Sequence, residues 1–128
     1  MFNRNIVNII IKYYDYNFIE EYKNKINWKY LSKNTNISYK IFEKYLDKID
    51  WYYLSRNTNI PSSFFEKYLE DPRYSNKINW INLSENTNIP HTFFEKYLKD
   101  PRYSNKINWN LLSENITCYN KNKIKKYF

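Results

Sequence analysis

Few side chains in this 128-residue chain have the types and spacing that chemistry needs. His91 is the only histidine and Cys118 the only cysteine, so neither a disulfide framework nor a multi-cysteine zinc site can be assembled within the chain. An imidazole can act as a general base or a proton sensor near neutral pH. His91, however, stands where neighbouring stretches of similar sequence carry Tyr39 and Ser62, which makes it a helix-start residue. Cys118 has lysines close by that would favour its thiolate, but no histidine beside it in sequence, and it reads as a plain free thiol. Glu43, Glu66 and Glu95 recur, each followed by Lys44, Lys67 or Lys96. Carboxylates do acid–base work when two converge on one bond, whereas regularly repeated ones decorate a charged helix face. Ser32, Ser55, Ser84 and Ser113 also recur. Without a base beside them they are helix-end polar groups and not nucleophiles. Glycine is absent, so no phosphate-cradling loop, dinucleotide-binding turn or nucleophile elbow can form. The expectation is a protein that is not an enzyme and takes no cofactor, metal or small-molecule substrate.

The element that positions these residues is a repeat, and its register is set by tryptophan. Trp28, Trp51, Trp80 and Trp109 are spaced by 23, 29 and 29 residues. Leucine follows each three residues later (Leu31, Leu54, Leu83, Leu112), then serine, then asparagine at 34, 57, 86 and 115. A second block, Phe42 to Leu46, returns as Phe65 to Leu69 and Phe94 to Leu98. The longer spacings come from one six-residue insertion, DPRYSN, after the second block.

Each block predicts a short helix. Asn27, Asp50, Asn79 and Asn108 precede the tryptophans as N-caps, because their side chains can accept the free N–H groups of a first turn. An isoleucine before each cap and the leucine four residues after it have the spacing of a hydrophobic staple. The first helix should run from Trp80 to about Glu85, with Asn86 as a left-handed stop in place of glycine. The second should start near Pro61 and Pro90, or at Ser38 in the first copy. Ser63…Glu66 and Thr92…Glu95 have capping-box spacing, while Phe64, Phe65, Tyr68 and Leu69 form a wide apolar stripe. The Asp-Pro pairs at 71–72 and 100–101 end it.

These features predict an all-α fold of short αα-hairpin repeats, stacked as a small solenoid with degenerate terminal repeats, since one hairpin cannot bury its own stripe. The expected layout is a single domain over 1–128. It comprises a partial repeat at 1–24, repeats at about 25–47, 48–76 and 77–105, and a degenerate C-terminal cap at 106–128. The strings WKYLSKNTNI, WYYLSRNTNI and WINLSENTNI, each followed by a helix bearing the F-x-E-K-Y pattern or its close variant, resemble the tandem repeats abundant in giant DNA viruses of the mimivirus kind. The resemblance covers roughly residues 18 to 116. It implies a helical-repeat fold and an AT-rich viral origin, and it carries no catalytic residue.

Two binding functions follow. A protein partner or self-assembly is favoured, with contacts drawn from Tyr30, Tyr52, Tyr53 and Arg56 and above all from Arg73, Tyr74, Arg102 and Tyr103 in the inserted loops, because tyrosine and arginine dominate interface hot spots. The competing role for the loops is structural, each Tyr packing beneath the loop while each Arg pairs with Asp71 or Asp100. The alternative function is binding of RNA or single-stranded DNA through aromatic and basic groups. Net charge is +8, of which residues 116–128 hold +4 on Lys121, Lys123, Lys125 and Lys126 and residues 1–26 hold +1, leaving the repeat region at 27–115 with only +3. A basic tail of this kind can grip phosphate without reading sequence. The longest apolar run near the start is Ile9 to Ile11, too short for a signal peptide or membrane span. The expected setting is therefore intracellular, in host cytoplasm or virion, neither secreted nor transmembrane.

Overall fold

Asn or Asp before each tryptophan turns an extended strand of backbone into a helix. The computed structural model describes Ile6 and residues 15–115, and over these the protein is all-helical, with no strand among the described residues. Helical residues 15–22 form α1. The Trp-led helices are α2 (Trp28–Lys33), α4 (Trp51–Arg56), α6 (Trp80–Glu85) and α8 (109–115). The caps Asn27, Asp50 and Asn79 are extended, and each side-chain oxygen accepts the N–H three residues on, at 3.1, 3.3 and 2.9 Å. Asn108 accepts that of Leu111 at 3.1 Å. Ile49 and Leu54, and Ile78 and Leu83, are buried in one core, as a staple requires.

The expected left-handed stop does not occur. Asn34, Asn57 and Asn86 have φ of −73°, −71° and −72° with ψ of 111°, 112° and 110°, and no described residue has positive φ. The physical reason is an Asx turn: each side-chain oxygen accepts the N–H two residues on, in Asn36, Asn59 and Asn88, at 2.9 to 3.0 Å. The side chain thereby ends the helix without the strained backbone that a non-glycine residue adopts reluctantly.

The second helices are α3 (Tyr39–Phe42), α5 (Ser62–Leu69) and α7 (His91–Leu98). Ser38 caps α3 through its hydroxyl, whereas Pro61 and Pro90 sit at the cap positions with no side-chain bond. The capping boxes at Ser63…Glu66 and Thr92…Glu95 do not form, and Glu66 turns to Lys96 of the following repeat at 3.6 Å. The predicted stripe is buried in full at Phe64, Phe65, Tyr68 and Leu69.

These stripes close around the tryptophans. Trp51 is boxed by Phe64, Tyr68 and Tyr74 at ring separations of 5.9, 5.7 and 5.5 Å. Trp80 has the same arrangement with Phe93, Tyr97 and Tyr103 at 5.9, 5.5 and 5.3 Å. Offset and edge-to-face pairs of this kind add about 0.5–1.5 kcal/mol each beyond the burial of their area. The inserted segment supplies the last wall. After Asp71-Pro72 the chain turns, stacks Tyr74 on Trp51 at 22°, and passes through a 3-10 turn at Ser75–Lys77. A second 3-10 turn follows at Ser104–Lys106.

Helix α4 packs on both α2 and α6, and polar rows bind these neighbours together. Ser55 Oγ donates to Trp51 O at 2.7 Å and accepts the N–H of Asn79, the next cap, at 3.0 Å. Ser32 does the same toward Asp50 and Ser84 toward Asn108. Asn57 Nδ2 donates to Ser32 O and Asn34 O. Asn86 repeats this toward Ser55 O and Asn57 O, and Asn115 toward Ser84 O and Asn86 O. A third row runs from Asn59 to Ile37 O and from Asn88 to Ile60 O.

Candidate interaction surface

The inserted loops hold their own residues. Tyr74 and Tyr103 are each only 5% exposed. Tyr74 donates its hydroxyl proton to Asp47 at 3.1 Å and Tyr103 to Leu69 O at 2.8 Å. Arg73 and Arg102 are exposed but engaged. The Arg73 guanidinium pairs with Asp71 at 2.9 Å, and that of Arg102 with Asp100 at 2.7 Å and Glu70 at 3.1 Å. Both cations lie over the tyrosine that follows them, 5.2 and 5.0 Å from the ring centre. The hydrogen bonds from these arginines hold the Asp71 and Asp100 carboxyls below the usual carboxylate range. The geometry is the structural alternative weighed from the sequence, with Tyr beneath the loop and Arg on Asp.

The other sequence candidates scatter. His91 is half-buried at the start of α7, 3.7 Å from Glu95. Glu43 and Glu66 reach the lysine of the next repeat, Lys67 at 3.3 Å and Lys96 at 3.6 Å, a row of single ion pairs along the second helices. Ser32, Ser55 and Ser84 are spent on the next cap, as described above, and Ser113 donates to Trp109 O at 2.6 Å. Cys118 and the tail residues Lys121, Lys123, Lys125 and Lys126 lie outside the described residues. Among the described residues no group of three or more His, Cys, Asp or Glu is placed to hold a metal ion, and no helix is long and apolar enough to cross a membrane.

What the fold does expose is the outer face of the Trp-led helices. Leucine points inward on each, and serine does so on α2, α4 and α6, which leaves the second and sixth positions of these three helices outside. The third position is exposed at Tyr30 but buried at Asn82, whose amide donates to Tyr52 O at 2.7 Å. Tyr30 is 64% exposed, Tyr52 46% and Ile81 53%, large apolar groups on three consecutive helices. Lys29 and Lys33 place their ammonium groups 5.0 Å from the Tyr53 ring, which joins α2 to α4. The neighbouring Tyr53 side chain raises the Lys29 pKa.

Two adjoining concavities run along this face. One, of about 340 Å³, is lined by Lys33, Thr35, Tyr53, Arg56, Asn57 and Thr58. The next, of about 310 Å³, is lined by Arg56, Glu85, Thr87, Leu111, Glu114 and Asn115. They share Arg56, whose guanidinium is 3.8 Å from Glu85. Tyr30, Tyr52, Tyr53 and Arg56 stood among the sequence candidates, whereas Lys29, Lys33, Ile81, Glu85 and Glu114 did not. The missed signal is the column of sixth helical residues, which reads Lys33, Arg56, Glu85, Glu114 down the repeats. Comparison of the chain with protein-family models, curated proteins and solved structures finds no match.

Proposed function

We propose that this chain is a non-catalytic binding or assembly module, in which short αα-hairpins stack as a small solenoid and present the outer face of the Trp-led helices to a protein partner. The stacked arrangement is supported by three polar rows that recur from one repeat to the next with the same donors and acceptors. The observation that carries the binding reading is the contrast between the two sides. The second helices and inserted loops close their ion pairs within the chain, while Tyr30, Tyr52 and Ile81 stand exposed beside charged groups on the other side. Exposed aromatic anchors rimmed by charge are the usual make-up of an interface core and rim. The resemblance of the repeat to those of giant DNA viruses suggests a virion component or a host-directed adaptor as the setting.

A second reading, binding of RNA or single-stranded DNA, draws on the same face, because Lys29, Lys33 and Arg56 stand beside Tyr30 and Tyr53. Capture from infected-host lysate, with and without nuclease, separates the two. Wild type and a Tyr30→Ala/Tyr52→Ala variant are compared after both are shown to be folded. Proteins held after nuclease by wild type and lost by the variant support the protein-binding reading. Proteins that leave with digested nucleic acid transfer the function to the second.

A further inference from the structure

The charges on the outer face follow an order. The sixth residues of successive Trp-led helices are Lys33, Arg56, Glu85 and Glu114, two cations and then two anions. Reversing that row end for end puts every charge opposite its counter-charge. Lys33 and Arg56 line the first concavity, and Glu85 and Glu114 join Arg56 in the second. Between the charged ends, at the middle of the row, stand the exposed side chains of Tyr52 on α4 and Ile81 on α6.

A surface with this antisymmetry is its own complement about a two-fold axis, the commonest symmetry of protein dimers. With the axis between α4 and α6, Lys33 meets Glu114 of a second copy and Arg56 meets its Glu85. Each of these contacts occurs twice, and Tyr52 packs against the second copy's Ile81. We infer that this face binds the same face of a second copy, so that the chain forms a two-fold dimer with an apolar centre and a charged rim. The inference rests on the reading of the chain as an assembly module and names its partner.

The polar inventory supports that choice of occupant. On the opposite side cross-repeat pairs are short and internal, as in Lys67 with Glu43 at 3.3 Å and Arg102 with Glu70 at 3.1 Å. On the outer face the one ion pair among the described residues is Arg56 with Glu85 at 3.8 Å, and Lys33 and Glu114 enter none. A second copy supplies an opposite charge to both. A uniformly acidic peptide or a nucleic acid would satisfy Lys33 and Arg56 but would set like charge against Glu85 and Glu114. Parallel pairing of two copies would place Lys33 on Lys33. The charge order selects the antiparallel second copy over each of these.

Sedimentation of the full chain tests this directly. Wild type should be dimeric at low salt, with affinity falling on the order of tenfold when ionic strength rises to about 1 M. A variant with Glu85→Lys and Glu114→Lys carries a wholly cationic face, and one with Lys33→Glu and Arg56→Glu a wholly anionic one. Each should be folded, because the four side chains lie at the surface, and each should be monomeric alone. Mixed in equal amounts, they should form a heterodimer at least as tight as the wild-type dimer. A wild type that stays monomeric up to about 100 µM, or swapped variants that each self-associate as well as wild type, overturns the inference. If such a monomer nevertheless loses a captured protein through Tyr30→Ala/Tyr52→Ala, the binding reading stands and only the identity of the partner falls.

Discussion

Replacing Asn86 by alanine removes one side chain that closes three hydrogen bonds in two different repeats. Its amide nitrogen donates to Ser55 O at 3.0 Å and Asn57 O at 3.2 Å, and its oxygen accepts the Asn88 N–H at 3.0 Å. The residue is 3% exposed, so water does not replace what is lost. At about 1 kcal/mol net per bond, and more for buried carbonyls left without donors, Asn86→Ala should cost about 3–5 kcal/mol. The same substitution at Asn34 is the internal control. Asn34 is exposed, and its side chain makes only the turn bond to Asn36 at 2.9 Å, so Asn34→Ala should cost about 0.5–1 kcal/mol. Urea unfolding followed by tryptophan fluorescence should show the Asn86 midpoint lowered by about 2 M and the Asn34 midpoint by a few tenths. Asn86→Asp sharpens the test. The acid keeps the shape but, once ionised, sets a carboxylate against two carbonyl oxygens, which raises its folded-state pKa. Its stability should therefore be retained below about pH 4 and lost as pH rises through that raised value. A midpoint for Asn86→Ala equal to that of Asn34→Ala would refute the claim that the repeats are held together by this row.

Ser55→Ala leaves the Asn79 N–H without its acceptor and should cost about 1–3 kcal/mol in the same assay. Two neighbouring tyrosines should behave oppositely in thermal melts. Tyr103→Phe strands the buried Leu69 carbonyl and should lower stability by about 1–3 kcal/mol. Tyr97→Phe removes a buried hydroxyl that has no partner and should be neutral or slightly stabilising; a loss equal to that of Tyr103→Phe would contradict the geometry. Burial pushes the Tyr97 phenol up to about 12 from 10.0 and raises that of Tyr45 as well. A raised folded pKa means that stability is full below pH 10 and lost as pH rises toward 12, so phenolate absorbance should appear together with unfolding. Ionisation of every tyrosine near 10 in a chain that stays folded would count against it.

Much of the fold was legible because the chain states each rule several times. The N-caps at Asn27, Asp50 and Asn79 and the buried stripe at Phe64, Phe65, Tyr68 and Leu69 are local consequences of sequence, and four or three copies agree on them. The stop at Asn86 was misread because the sequence shows that a helix ends there but not where the amide of the side chain goes. That amide donates to residues 31 and 29 positions earlier, a relation that exists only once the chain has folded and its helices lie side by side. The loop tyrosines raised the same difficulty. Tyr74 beside an arginine looks like an interface anchor, and the sequence does not show that its ring stacks on Trp51. The candidate surface was half legible. Its aromatic members stood out by type, whereas Lys33, Arg56, Glu85 and Glu114 are ordinary surface charges until the helices are laid side by side.

Comparing columns of the repeat separates brick from surface. Serine at 32, 55 and 84 and asparagine at 57, 86 and 115 do not vary within the chain, and each is bonded across to a neighbouring repeat. An unvarying column is what stacking identical units demands, because every unit must offer the same donor to the one before it. Two columns that do vary lie on the outside: Lys29, Tyr52 and Ile81 at the second position, and Lys33, Arg56, Glu85 and Glu114 at the sixth. Stacking places no demand on an outward side chain beyond helix propensity and solubility, and random surface charge would meet both. A run of two cations followed by two anions goes further, since it gives the face a direction. Placed on the invariant interior, such a face can tell one orientation of a partner from the other, and the partner whose charge order is guaranteed to match in reverse is a second copy of the same chain.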